Sequence, residues 1–229
     1  MRDRSPFTVI YEDNHLLVVN KPAGVLVQGD ATGDVPLVEH CKNYIKEKYK
    51  KPGAVFLGVV HRLDRPVSGV VVLARTSKAL ERMNKLFREK ETIKTYYAIV
   101  ANKPSREADT LIHWLIKDEK KNKTTAYVHE TANALRSELS YTLFGAVNDC
   151  WALQVKPVTG RPHQIRVQLA DMGCPIKGDI KYGDHTPNPD GSIYLHAGSL
   201  EFVHPVRKEI VMYKAPLPAW GLWKQLRNV

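Results

Sequence analysis

An aspartate set between two arginines marks the stretch of this chain best suited to chemistry: His61-Arg62-Leu63-Asp64-Arg65-Pro66-Val67-Ser68-Gly69. Val70-Val71-Val72-Leu73-Ala74 follows at once and reads as a buried strand. A carboxylate flanked by cations therefore lies on a loop entering the core, and loops held by a rigid scaffold are where catalytic groups collect. The same spacing also suits an Arg–Asp pair that only ties the loop down. A second segment runs Thr159-Gly160-Arg161-Pro162-His163-Gln164-Ile165-Arg166-Val167-Gln168. Arg166 stands one helical turn past Pro162, among Ile165, Val167 and Leu169. A half-buried arginine needs an anion, either a carboxylate of the protein or a phosphate of a ligand. The third segment is Lys94-Thr95-Tyr96-Tyr97-Ala98-Ile99-Val100. Strand alternation sends Tyr96 and Tyr97 to opposite faces, so one can stack on a flat ligand while the other packs in the core. Strand packing alone would also account for such a pair.

The elements that must hold these groups follow from periodicity and turn signals. Phe7 to Tyr11 and His15 to Asn20 read as strands joined at Glu12-Asp13-Asn14, with a break at Lys21-Pro22-Ala23-Gly24. Residues 36–50 read as an amphipathic helix carrying Leu37, Val38, Cys41, Tyr44 and Ile45 on one face. After the strand at 70–75, Ser77 is expected to cap a helix that carries Leu80, Met83, Leu86 and Phe87. Ile93 to Val100 reads as a strand, and residues 109–129 as a polar hairpin turning at Glu119 to Asn122. A second hairpin spans 136–147 and 150–156. Residues 162–172 read as a helix that Pro162 can open and Gly173 closes. Short strands near 193–203 and 209–214 precede a terminal helix from about Trp220. Strands outnumber helices and short turns join them, which predicts an α+β fold on a largely antiparallel sheet.

The net charge of +10, from 34 Lys and Arg against 24 Asp and Glu, favours a polyanionic partner. Lysines crowd residues 42–51 and 117–123. No apolar run approaches the roughly 20 residues that span a bilayer. Met1 to Pro6 has no apolar run behind it of the kind a signal peptide needs, so a cytoplasmic protein is expected. Cys41, Cys150 and Cys174 suit neither a disulfide framework nor a zinc site and read as small buried thiols. His61, His163, His196 and His204 sit in the apolar or turn settings of structural histidines.

Taken in order, the blocks resemble the RluA-type pseudouridine synthases. They are Asn20-Lys21-Pro22-Ala23-Gly24, His61 to Gly69 against HRLD-x-x-[TS]-S-G, Lys94-x-Tyr96-x-Ala98, and Gly160-Arg161-x-His163-Gln164-Ile165-Arg166-Val167. Leu195-His196-Ala197 to His204-Pro205, and Ala215-Pro216-Leu217-Pro218, continue the likeness, which covers about residues 7–220. The resemblance implies a mixed, mostly antiparallel sheet with flanking helices and a central cleft, in one catalytic domain over residues 1–229. It further implies an RNA pseudouridine synthase acting on ribosomal or transfer RNA, without cofactor or metal, and nothing in the sequence demands more than a monomer. Asp64 matches the essential aspartate, Tyr96 the active-site tyrosine, and Arg166 the basic residue that pairs with the aspartate. Arg62 matches the arginine implicated in rearranging the flipped-out RNA, and His61, Lys21 and Arg161 are the other candidate substrate contacts. Val67 stands where many relatives have Thr, and Gln168 where many have His; altered loop packing is expected there. The S4-like RNA-binding domain of some relatives is not expected, so the catalytic domain itself would hold RNA.

Two other classes are carried alongside. A non-catalytic RNA-binding factor keeping the fold is opposed by the intact Asp64, Tyr96 and Arg166 set. A carboxylate-dependent glycosidase needs two carboxylates, and the motif segments offer only Asp64, with Asp179 and Asp184 in a different context.

Overall fold

Asp13 sets the first turn of the chain. Its carboxylate accepts the N–H groups of His15 and Leu16 at 2.8 and 2.7 Å, the self-made turn that short acidic side chains favour. The computed structural model describes residues 6–226. Within it the chain divides into two compact units, one running to Thr92 and taking in Ser199–Pro216, the other formed by Ile93–Gly198 and the residues from Leu217.

In the first unit the Asp13 turn joins β1 (Thr8–Glu12) to β2 (Leu16–Lys21). β2 pairs antiparallel with β4 (Ser68–Ala74), setting Lys21 opposite Gly69. The motif at Asn20 and the end of the Asp64 loop are thereby side by side. All seven residues of β4 are buried, as the apolar run predicts, and β3 (Gly58–Val59) pairs along it. α1 (Leu37–Lys48) buries Leu37, Val38, Cys41 and Ile45. α2 (Ser77–Arg88) begins one residue away from expectation: Thr76, still extended, is the cap, its side chain accepting the Ala79 N–H at 3.1 Å. Ser77 is already helical. β10 (Leu195–Val203) pairs through Ser199–Val203 with β11 (Ile210–Lys214). Leu16, Val18, Val70, Val72, Met83, Leu200 and Phe202 close this unit's core.

The second unit is built on β5 (Thr92–Val100), β6 (Ala108–Asp118), β7 (Lys123–Tyr127), β8 (Leu135–Val147) and β9 (Cys150–Pro157). Their order is β5-β9-β8-β6-β7 and each pairing is antiparallel. Asn148 makes the predicted turn in the left-handed region (φ 52°), which asparagine tolerates. α3 (Gln164–Asp171) starts later than Pro162 because His163 is left-handed (φ 54°) and cannot belong to the helix. Gly173 (φ 81°) ends it as expected. α4 (Trp223–Leu226) is the short terminal helix. Cys41 and Cys174 are buried and Cys150 partly so, and burial pushes all three thiols up. No helix among the described residues is long and apolar enough to cross a membrane.

Candidate active site

Main-chain bonds and side chains together hold the Asp64 loop. Val67 N–H bonds to the Asp64 carbonyl at 3.0 Å, and Gly24 N–H bonds to the Arg65 carbonyl at 2.8 Å. Arg65 returns the contact, its Nε donating to the Gly24 carbonyl at 3.0 Å and its Nη2 pairing with Asp34. The arginine that ties this loop down thus has Asp34 as an acid partner. Asp64 itself is half-buried, and Arg62 is exposed.

Lys21 lies beneath the loop with 0% of its surface exposed. Its ammonium donates to the carbonyls of Pro22 (2.9 Å), Val25 (2.7 Å) and Arg65 (3.3 Å). Burial lowers its pKa to about 7; Asp64 opposes that shift and Arg65 adds to it. Lys21 was expected against RNA phosphates, but an enclosed ammonium already spent on three carbonyls supports the loop instead. His61 is similarly built in. Its Nε2 accepts the Val72 N–H at 3.1 Å, so that nitrogen carries no proton. Its ring stacks on Phe87 at 4.9 Å.

In the second unit Tyr96 stands opposite Val155 and Tyr97 opposite Gln154. Tyr97, half-buried, packs on its own face of the strand. It meets Phe144 edge-on at 5.7 Å, and a Cβ at Gly198 would lie 2.6 Å from its ring. Tyr96, on the other face, is half-buried.

The turn before α3 is organised by Gln164, whose Oε1 accepts from Thr159 Oγ1 (2.8 Å) and Arg161 N–H (3.0 Å) while Nε2 donates to the Glu138 carbonyl (3.1 Å). Arg161 is half-buried, and its Nε is shielded from solvent with no hydrogen-bond partner among the described residues. Arg166 is 6% exposed. It was expected to need an anion, and Asp179 is one: Nε and Nη2 form a fork with that carboxylate at 2.7 and 2.9 Å. The Tyr182 ring lies 5.0 Å from the guanidinium carbon. Sequence reasoning assigned no role to Tyr182 and weighed Asp179 only as a spare carboxylate. Asp184 is also engaged, by Lys177 at 3.0 Å and the Gly178 N–H at 2.6 Å. Neither acid is an idle second carboxylate of the sort a glycosidase needs. Gln168 ties α3 to β6 by donating to the Leu111 carbonyl (3.1 Å) and His113 Nδ1 (3.0 Å).

An aspartate on a turn locked by main-chain bonds is fit to act as nucleophile or base, and an arginine clamped in a fork is fit to present charge in a fixed direction. The fold bearing them is shared with solved human structures. This chain aligns over 96% of its length with 92% of RNA pseudouridylate synthase domain containing 4, with TM-score 0.79 at 23% identity. It aligns over 94% with 85% of RNA pseudouridylate synthase domain containing 1, with TM-score 0.73 at 23% identity. The sequence model of the RNA pseudouridylate synthase family matches residues 15–171, and the chain belongs to that family. Among its relatives is ribosomal large subunit pseudouridine synthase C of Vibrio cholerae, 34% identical over 217 residues that make up 92% of this chain. The protein of that name from Escherichia coli K12 is 33% identical over 217 residues, 91% of this chain. In both cases the chain spans 66% of the relative's length.

Proposed function

We propose that this protein is an RNA pseudouridine synthase, an isomerase that converts particular uridines to pseudouridine with Asp64 as the catalytic carboxylate. The observation that carries the reading is Asp64 on a turn locked by backbone bonds at the mouth of β4, inside the family match. The reaction breaks the N1–C1′ bond, turns the uracil and joins C5 to C1′, so the product is an isomer. Asp64 serves as an ionised carboxylate, either attacking as nucleophile or removing the C2′ proton. Arg166 supplies the positive charge that favours that ionised form. Tyr96 stacks on the uracil and assists removal of the C5 proton. The target base leaves its stack to reach the carboxylate, from an RNA loop or bulge that exposes it. Exposed Arg62 and the partly satisfied Arg161 contact phosphates. Both units act as one catalytic domain, as a monomer in the cytoplasm.

The relatives' names favour large-subunit ribosomal RNA as substrate over transfer RNA. Pseudouridine mapping on total RNA from cells with and without the gene, complemented by wild type or Asp64→Asn, tests both points. Sites that vanish and return only with wild type are expected in ribosomal RNA. Sites in transfer RNA would replace the substrate and keep the activity. If no site changes, and purified protein modifies neither RNA, the activity itself is overturned.

A further inference from the structure

A buried ion pair is costly to make, since both ions lose their water; apolar side chains of similar volume commonly serve stability as well or better. The Arg166–Asp179 fork lies near an apolar cluster of Leu115, Val167 and Tyr182, where apolar packing is available. A pair placed there at that cost points to a use besides stability. The geometry around Arg166 shows one. Asp179 (1% exposed) grips the guanidinium edge through Nε and Nη2. Tyr182 (7% exposed) sets its ring 5.0 Å from the guanidinium carbon. One grip fixes the direction of the fork and the other its plane.

Both grips come from a single turn that is itself tied down. The Tyr182 and Asp184 N–H groups each bond to the Asp179 carbonyl at 3.1 Å. At Gly178 (φ 86°) a side chain would lie 2.6 Å from Asn188 and 2.8 Å from the Ser192 carbonyl, so the approach to Asp179 admits only glycine. The Tyr182 hydroxyl accepts the Thr124 N–H at 2.8 Å and lies 2.7 Å from His163 Nδ1, the residue that opens α3. The ring under Arg166 is thus anchored to β7 and to the start of Arg166's own helix.

We propose that Asp179 and Tyr182 are positioning residues for Arg166, holding its guanidinium in the orientation that turnover requires. The inference rests on the role given to Arg166 above. The test measures single-turnover rate and RNA affinity separately on the modified RNA, for Asp179→Asn, Arg166→Met and the double variant. Misplacing a catalytic group by about 1 Å can cost about 100-fold, so Asp179→Asn is expected to slow turnover by about 10- to 100-fold at nearly unchanged RNA affinity. If Asp179 acts through Arg166, the double variant is no slower than Arg166→Met alone. Losses that multiply, or a fall in affinity equal to the fall in rate, overturn the inference. Full turnover by Arg166→Met removes the role of Arg166 itself, and is distinguished because the single Arg166 variant alone reveals it. Should the Asp179 variants fail to fold, Tyr182 decides. Tyr182→Phe keeps the ring but gives up its hydroxyl anchors, and is expected to lose less than Tyr182→Leu, which loses about tenfold at unchanged RNA affinity. Equal rates for those two overturn it.

Discussion

The Asp64 loop and the Arg166 helix each hold a charged group proposed for the reaction, yet they hold it by different means. Around Asp64 main-chain carbonyls take the bonds: Asp64 from Val67 N–H, Arg65 from Gly24 N–H, and Pro22, Val25 and Arg65 from the Lys21 ammonium. Around Arg166 the grip belongs to side chains, the Asp179 carboxylate and the Tyr182 ring. A loop fixed by its backbone carries its aspartate with little dependence on which residues flank it. A guanidinium fixed by side chains depends on each of them. Substitutions beside Asp64 should therefore be tolerated, whereas substitutions of what touches Arg166 should be felt in the rate.

The largest effect expected is at Asp64 itself. Asp64→Asn removes the charge and keeps the shape, so turnover should fall at least about 1,000-fold, as for other groups that act directly on substrate. Melting temperature and RNA affinity should stay near wild type, because the Val67 N–H bond that closes the turn is taken by the Asp64 carbonyl, which the substitution keeps. Retained activity would remove Asp64 from the chemistry.

The same contrast explains what could be read from sequence. β4 was legible because a run of five apolar residues after a turn can hardly be anything else, and the hairpin turns at Asp13 and Asn148 carry their own chemistry. The residue types and order of the motif blocks exposed Asp64 and Arg166. Asp179 was not legible as Arg166's partner: it lies 13 residues on, past the end of α3, and its placement depends on the Gly178 bend and on contacts with Asn188 and Ser192. The helix starts show the same limit on a smaller scale. Ser77 and Pro162 are sound opening residues, but the side chain that caps is Thr76, and a left-handed His163 delays α3. Lys21 misled for another reason. A lysine near a motif suggests phosphate, and only the pairing of β2 with β4 puts it beneath the loop.

Lys21 offers the next effect in size. Lys21→Met keeps the bulk and strips the carbonyls of Pro22, Val25 and Arg65 of their shared donor, at about 1–3 kcal/mol for each one left unsatisfied. Turnover should drop more than RNA affinity, since the turn carrying Asp64 loosens while exposed Arg62 is untouched. Equal losses in both would return Lys21 to the phosphates. Its titration sharpens the point. The folded pKa, about 7, lies below the unfolded one, so between them the folded protein binds fewer protons. The Lys21 contribution to stability is then fullest above about pH 10 and is lost as pH falls through about 7. The unfolding free energy of wild type relative to Lys21→Met should accordingly rise across that window. A flat difference would mean that Lys21 titrates as an exposed lysine does.

The smallest effect expected is at Val67, where the family signature carries a hydroxyl residue. Val67 is 2% exposed, and its N–H, not its side chain, closes the turn at Asp64. Val67→Thr trades a buried methyl for a hydroxyl, which costs about 1–3 kcal/mol of stability unless that hydroxyl finds a partner. The turn keeps its main-chain bond in either case, so turnover at a temperature well below unfolding should stay within about twofold of wild type, the flanking side chain having little leverage on the aspartate. A rate that rises severalfold would show that the hydroxyl contributes to the reaction and that this chain runs without it. A rate that falls severalfold while stability holds would show that side-chain packing positions Asp64 after all, and the distinction between a backbone-held aspartate and a side-chain-held arginine would dissolve.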